Sequence, residues 1–294
     1  MKHLPVLLGP ALDGLNIRAG GVYLDVTGGL GGHSAEILAR LGSGGELVIC
    51  DYHAPSVEWL RQRFAGVKNV RVLHERFSLF FDNQGLPFFD GILADFGISS
   101  FQLDEDKLGL SFSADDIFLD MRLDDRLETT AHDLLTQLPE KDLADMFYQL
   151  GGERHSFRIA RALVHDRELG KLPRTTTELR GLCERVLGRF YRKQKIHPAT
   201  KIFQALRLAV NHELDEIKKF LEKAPLQLKD NGRLVVIAFH EGEDRLVKTK
   251  FRELERTDDF TLPVRKTIKP DDDEIKQNPR SRSARMRILE RSQK

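Results

Sequence analysis

Cysteine is nearly absent from this sequence: two in 294 residues, Cys50 and Cys183, each among apolar neighbours. That excludes a disulfide-stapled framework, and both are expected as reduced core thiols of a cytoplasmic protein. Long apolar runs are missing too, and none approaches the roughly 18 residues that a membrane helix needs. The start, Met1-Lys2-His3-Leu4-Pro5, has neither the apolar stretch nor the small-residue cleavage site of a signal peptide. Net charge is scarce: 46 Lys and Arg face 45 Asp and Glu, a balance of +1. Such a sum argues against a nucleic-acid partner, which usually needs a basic surface. The sum hides segregation, however. Residues 103–145 hold 13 acids against 4 bases, residues 180–207 hold eight bases against one Glu, and residues 280–294 hold six bases against Glu290. What is plentiful is apolar side chain, 40% of the chain, enough to fill a sizeable core and to exclude disorder as the main state.

The first hundred residues alternate between strand and helix signals. Val22–Val26, Glu46–Cys50, Val70–Leu73 and Phe89–Asp95 are short apolar runs that read as buried strands. Between them, His33–Leu41 and Ala54–Phe64 carry apolar residues at helical spacing. Strands separated by helices of this length predict right-handed βαβ units and a parallel sheet. The pattern stops near Gln102. A helical stretch follows, and strand signals return at Arg233–Phe239 after one long amphipathic helix expected over Ala205–Leu228. Ser283–Leu289 alternates as a half-buried strand does. The simplest architecture is α/β: one sheet domain formed by 1–103 and 205–294, interrupted by a helical insertion over 104–204.

Two features at the strand ends carry chemistry. The first strand ends in Asp25 and is followed by Thr27-Gly28-Gly29-Leu30-Gly31-Gly32 and a helix. Glycines let backbone approach a ligand, and a helix N-terminus offers free N–H groups. Asp51, 26 residues on at the end of the next strand, is placed to take both hydroxyls of a ribose. A dinucleotide fingerprint would need a third glycine where Ser34 stands, which disfavours a nicotinamide-dependent dehydrogenase. Asp25 beside the loop would repel a pyrophosphate and suits a ligand carrying ammonium and sulfonium charges. Asp95, in Asp95-Phe96-Gly97, ends the fourth strand, so three acids converge where open α/β sheets bind ligands. A tight turn with no ligand, and a helix-capping acid at each strand end, remain the alternatives.

Along nearly its whole length the chain resembles the bacterial small-subunit (16S) ribosomal RNA cytosine-N4 methyltransferase family. The resemblance is carried by His3-Leu4-Pro5-Val6-Leu7-Leu8, Gly31-Gly32-His33-Ser34, Asp95-Phe96-Gly97-Ile98-Ser99-Ser100-Phe101-Gln102-Leu103-Asp104 and Leu119-Asp120-Met121-Arg122. It continues in His197-Pro198-Ala199-Thr200, Phe203-Gln204-Ala205-Leu206-Arg207, Phe239-His240 with Glu243-Asp244-Arg245, and Asn278-Pro279-Arg280-Ser281-Arg282-Ser283. It implies a Rossmann-like class I methyltransferase sheet with an inserted helical subdomain, expected over 104–204 to recognise RNA, S-adenosylmethionine as cofactor, and a cytidine near the decoding centre as substrate. Carried over by position, cofactor contacts fall on Gly31, Gly32, His33, Asp51, Phe77, Asp95 and Gln102, to which the strand-end argument adds Asp25.

Within that resemblance, Asp95 is the expected acceptor for the reacting amine. His240 is expected either to hold or deprotonate that amine, or simply to satisfy a loop backbone. Phe77 either lies against adenine or packs in the core. Arg122 and His197 are expected to face RNA, and so is the basic run with Arg189, Arg192, Lys193, Lys195 and Lys201, unless that run is a solvated face. No His/Cys cluster has metal-ligand spacing, so no metal is expected. The chain departs from the family at His53, where a second acid is usual, at Leu108-Gly109-Leu110, at Gly152, and at Glu241-Gly242. Those departures leave open an RNA-binding member with altered substrate or lost transfer. The expected partner is 16S ribosomal RNA or the small ribosomal subunit, with no membrane.

Overall fold

In the computed structural model, residues 5–98, 108–112, 116–193 and 196–293 are described, and they divide into two units. The first comprises Met1–Ser99 with Leu214–Lys294, the second Ser100–Glu213. Of the expected site residues, Gln102 and Lys195 lie outside the described residues.

In the first unit, β1 (Val22–Asp25), β2 (Glu46–Asp51), β3 (Val70–His74), β4 (Phe89–Asp95), β5 (Leu228–Ala238), β6 (Phe260–Thr261) and β7 (Arg285–Arg291) form one sheet in the order β3-β2-β1-β4-β5-β7-β6. The pairs from β3 through β5 are parallel. The expectation of a purely parallel sheet needs correction: β7 runs antiparallel to both β5 and β6. Alternation along Ser283–Leu289 reports which side chains point inward, but not the direction of the strand.

The strands read as continuous apolar runs because both faces of the sheet are covered. Leu24, Val48, Ile92 and Leu234 face one core with Phe80, Phe89, Phe220 and Phe251. Their neighbours Tyr23, Leu47, Leu93 and Val235 face the other, with Leu12, Ile37, Leu41 and Leu60. That second core is closed by α1 (Leu8–Leu15), α2 (Gly32–Leu41) and α3 (Ala54–Arg63). The first is closed partly by the short α4 (Phe77–Phe80). Strand order reverses between β1 and β4, so the switch point of the sheet lies between the ends of Asp25 and Asp95.

The second unit is helical: α5 (Ala131–Gln137), α6 (Glu140–Gln149), α7 (Ser156–Glu168), α8 (Thr176–Tyr191) and α9 (Thr200–Val210). Its core gathers Leu135, Phe147, Leu163, Leu182, Cys183 and Phe203, all buried. Reciprocal capping boxes, Thr130 with Asp133 and Thr175 with Glu178, fix the starts of α5 and α8.

The single helix expected over Ala205–Leu228 is in fact two, α9 and α10 (Glu213–Lys223), and the unit boundary falls after Glu213 rather than at 204/205. Asn211 causes the break. Its side-chain oxygen accepts from Leu123 N at 2.8 Å, and its amide nitrogen donates to the carbonyls of Met121 and Arg207, each at 2.8 Å. His212 then takes a left-handed φ of 53°, which no helix continues through. The first unit resumes with α10, and α11 (Glu241–Glu255) and α12 (Asp272–Gln277) follow on either side of β6 in the chain.

Candidate active site

The turn after β1 is held from several sides. Gly28 N donates to Cys50 O at 3.0 Å and Gly31 N to Gly28 O at 2.7 Å. Gly31 adopts φ 75°, the left-handed region that an ordinary side chain resists. A Cβ at Gly28 would fall 2.5 Å from the Ile49 side chain and 2.8 Å from that of Leu60. Outside the turn, Trp59 and Arg63 of α3 both donate to Leu30 O. The sequence therefore spends its glycines on a turn pressed against β2 and α3, with its amides directed toward the strand ends.

Each acid has a distinct environment. Asp25 is 1% exposed, with Ser34 Oγ donating to Oδ2 at 2.6 Å and Thr27 N to Oδ1 at 3.2 Å. Burial pushes its carboxyl up to about 6, helped by the charge of Asp51 and opposed by the Ser34 and Thr27 bonds. So enclosed, Asp25 presents almost no surface, and its bonds to Ser34 and Thr27 N tie the strand end to the turn and to the start of α2. Ser34, the residue in place of a third glycine, thus has a job of its own: it holds Asp25.

Asp51 accepts from Gly29 N at 2.7 Å and from His53 N at 2.9 Å. Burial raises its pKa against those two N–H bonds. A carboxylate has about four lone-pair sites, so two remain for a diol. His53, where a second acid is usual, is buried and pairs Nδ1 with Ser56 Oγ at 2.8 Å in the first turn of α3.

Asp95 sits across the switch point. Its backbone N donates to Thr27 Oγ1 at 2.7 Å, and its Oδ1 accepts from Gly97 N at 3.3 Å. Burial, with the charges of Asp25 and Glu243, pushes its carboxyl up to about 7 against the Gly97 bond. His33 Nδ1 lies 3.8 Å from Asp95 Oδ2. The other ring nitrogen faces Val6 O at 3.0 Å and must donate to it, so in the neutral imidazole Nδ1 carries the lone pair.

His240 caps α11. Its Nδ1 accepts from Gly242 N at 3.1 Å and Glu243 N at 3.4 Å, while Glu243 Oε2 reaches back to the N–H groups of Phe239 and His240. Nε2 therefore holds the hydrogen. It lies 3.1 Å from Glu243 Oε1 but not in hydrogen-bonding alignment. With Nδ1 committed to the cap, His240 has no lone pair to deprotonate an amine, and that half of the expectation is withdrawn. Glu243, 1% exposed and near enough to act on Asp95, received no role from sequence reasoning. Its signals were its place in the matched Glu243-Asp244-Arg245 string and its capping-box spacing after His240.

Phe77 is 8% exposed and packs with Phe96 and Phe220, each ring centroid 5.6 Å away. Gly31, Gly32, His33, Asp51, Phe77, Asp95 and His240 all belong to the first unit.

The residues expected to face RNA fare unevenly. Arg122 is spent within its own unit: Nε and Nη2 bond Asp120 at 2.7 and 2.9 Å, and Nη1 bonds Leu127 O. His197 stacks on Phe112 and reaches Glu184 at 3.0 Å. Lys201 donates to Gly152 O at 3.0 Å. Arg192 and Lys193 are exposed. In the basic C-terminal stretch, Arg285 and Arg287 pair with Asp244, and Arg291 donates to the carbonyls of Leu226 and Leu228.

The fit to a sulfonium nucleoside rests on these observations: a glycine turn that admits backbone only, a carboxylate at the end of β2 with lone pairs to spare, and acids whose charged forms are disfavoured by burial and, for Asp25 and Asp95, by a neighbouring acid. A cation would relieve that crowding; a pyrophosphate would worsen it.

A family model described as the MraW methylase family matches residues 1–292. "Ribosomal RNA small subunit methyltransferase H" of Koribacter versatilis is 42% identical over 301 residues, covering 99% of this chain and 94% of that one. The protein of the same name from Solibacter usitatus is 44% identical, covering 98% of this chain and 99% of that one. That of a Cyanothece strain is 42% identical, covering 98% and 94%. The chain belongs to the MraW methylase family and is an S-adenosylmethionine-dependent methyltransferase with a Rossmann-like α/β sheet.

Proposed function

We propose that this methylase transfers a methyl group to the exocyclic N4 of a cytidine in 16S ribosomal RNA near the decoding centre, acting on the small ribosomal subunit in the cytoplasm. The shared name of its relatives supports the class of substrate. The observation that carries the chemistry is Asp95, half-buried at the end of β4 beside the switch point, its side chain 19% exposed and its carboxyl raised to about 7.

S-adenosylmethionine, when bound, supplies an electrophilic methyl on a cationic sulfur. Asp51 binds the ribose diol, the Gly29–Gly32 turn admits the nucleoside, and Phe77 with Phe96 forms an apolar wall for the adenine. The cytosine amine is a weak nucleophile because its lone pair is delocalised into the ring. Asp95 accepts a hydrogen bond from that amine, which favours pyramidalisation and offsets the positive charge that grows on nitrogen. A carboxyl that titrates near 7 is matched to accept a proton at neutral pH and release it again. His240, with Nδ1 capping α11, offers Nε2–H as a donor that orients the base. The cytidine must be turned out of any stack to reach this point, and Arg192 and Lys193 are placed to hold phosphates.

The test is nucleoside analysis. Unmethylated small subunits incubated with the protein and S-adenosylmethionine, then digested and examined by mass spectrometry, should yield N4-methylcytidine at a single position. Methyl groups on C5 or on a ribose, or none on the RNA, would overturn the assignment.

A further inference from the structure

Phe190, near the end of α8, is the centre of a cluster that the site above does not use. The His155 ring stacks on it, with centroids 3.9 Å apart and planes at 23°. The guanidinium carbons of Arg189 and Arg158 lie 4.6 and 5.3 Å from the same ring centroid. Arg154, Arg158 and Arg189 are exposed, and among the described residues none of the three pairs with a carboxylate. Other arginines on these two helices are paired: Arg161 with Glu140, Arg185 with Asp166 and Arg180 with Glu184.

Isolated arginines on a helix surface are usually a solvated face. Here three things separate the cluster from that case. First, the charges converge from two helices onto one ring rather than spreading along one. Second, the acid nearest in sequence, Glu153, is turned inward: it is 1% exposed and takes the Tyr191 hydroxyl and the His155 N–H. Third, the first turn of α7 holds no acid and His155 makes no side-chain cap, so the turn itself carries only positive charge, with the inward Glu153 carboxylate bound at the His155 N–H. Phe157, 55% exposed, stands beside Arg158 in that turn.

Unpaired arginines interleaved with planar rings match single-stranded nucleic acid, whose backbone takes the charge and whose bases take the stacking faces. An acidic peptide would use the charge and leave the rings idle. A membrane surface would need a broader apolar face.

We propose that this α7/α8 cluster is an RNA-docking platform. Arg154, Arg158 and Arg189 contact backbone phosphates, and the His155–Phe190 stack with Phe157 receives unpaired bases. The inference rests on the reading that the substrate is ribosomal RNA. It moves the main RNA contact away from Arg122, His197 and Lys201, whose polar groups are engaged internally, and extends it from Arg189 of the expected basic run to Arg154, Arg158 and the His155–Phe190 stack, which sequence reasoning did not single out.

The test measures binding of an in vitro transcript of the small-subunit ribosomal RNA by fluorescence anisotropy across a salt series. Arg158→Gln with Arg189→Gln should weaken binding about tenfold at moderate salt and lower the slope of log affinity against log salt by about 1.5, at roughly 0.7–0.9 per phosphate contact. Phe190→Leu should weaken binding severalfold without changing that slope, because stacking releases no counterions. S-adenosylmethionine affinity should be unchanged in all of them. Arg161→Gln with Arg185→Gln, which removes paired arginines of the same helices, should stay within about twofold of wild type. Wild-type affinity and slope in the Arg158/Arg189 variant would overturn the platform while leaving the methyltransferase reading intact. A wild-type protein that binds no transcript would overturn both.

Discussion

At the scale of single residues, the site is a set of acids whose burial has been made tolerable by specific partners. Asp25 leans on Ser34 and Thr27, Asp51 on two backbone N–H groups, and Asp95 on one. The consequence for Asp51 is direct. Removing its carboxylate in Asp51→Ala takes away the diol acceptor and orphans Gly29 N–H and His53 N–H. Hydrogen bonds to a charged group contribute about 1.5–3 kcal/mol, so S-adenosylmethionine affinity measured by calorimetry should fall about 10- to 150-fold. A loss below about threefold would remove Asp51 from the cofactor site. Sequence reading located all three acids, because a carboxylate at the end of an apolar strand stands out. It could not rank them, because burial decides which acid faces a ligand, and burial is set by distant residues. The roles of Ser34 and Glu243 stayed hidden for the same reason, their partners being fixed only by the fold.

At the scale of elements, strands with two covered faces were legible: β2, β3 and β4 lie within a residue of where the apolar runs put them. Three elements were not. The α1 helix is short and contains Gly9, Pro10 and Gly14, so it has little local helix signal. The direction of β7 is set by its pairing with β5, which alternation does not encode. The break between α9 and α10 is imposed by Asn211, while the apolar spacing runs straight through it. That break gives a prediction for the helical unit. Asn211→Ala leaves Leu123 N–H and two carbonyls without their side-chain partner in a buried place. The cost should be about 2–4 kcal/mol of stability, seen as a lower urea midpoint and as faster hydrogen exchange at the Leu123 amide. A change under about 0.5 kcal/mol would show that the break has another cause.

At the scale of the whole molecule, a net charge of +1 is a poor guide because the charges are segregated along the chain. Two arginines of the C-terminal surplus, Arg285 and Arg287, share Asp244, whereas among the described residues Arg158 of α7 and Arg189 of α8 pair with no carboxylate. No helix among the described residues is long and apolar enough to cross a membrane. The account as a whole turns on Asp95 acting as the proton-accepting carboxylate at the switch point of the sheet. Its charged form is disfavoured by burial, so the working ionised state is lost as pH falls below about 7 and is full above it. The most direct measurement is kcat/KM for S-adenosylmethionine between pH 5 and 9, at saturating RNA, for the wild type and for Asp95→Asn. The wild-type value should rise with pH and level off above an inflection near 7. The variant should be slower by about 100-fold or more and should lose that inflection. A flat wild-type profile, or an Asp95→Asn protein that turns over like the wild type, would contradict the account.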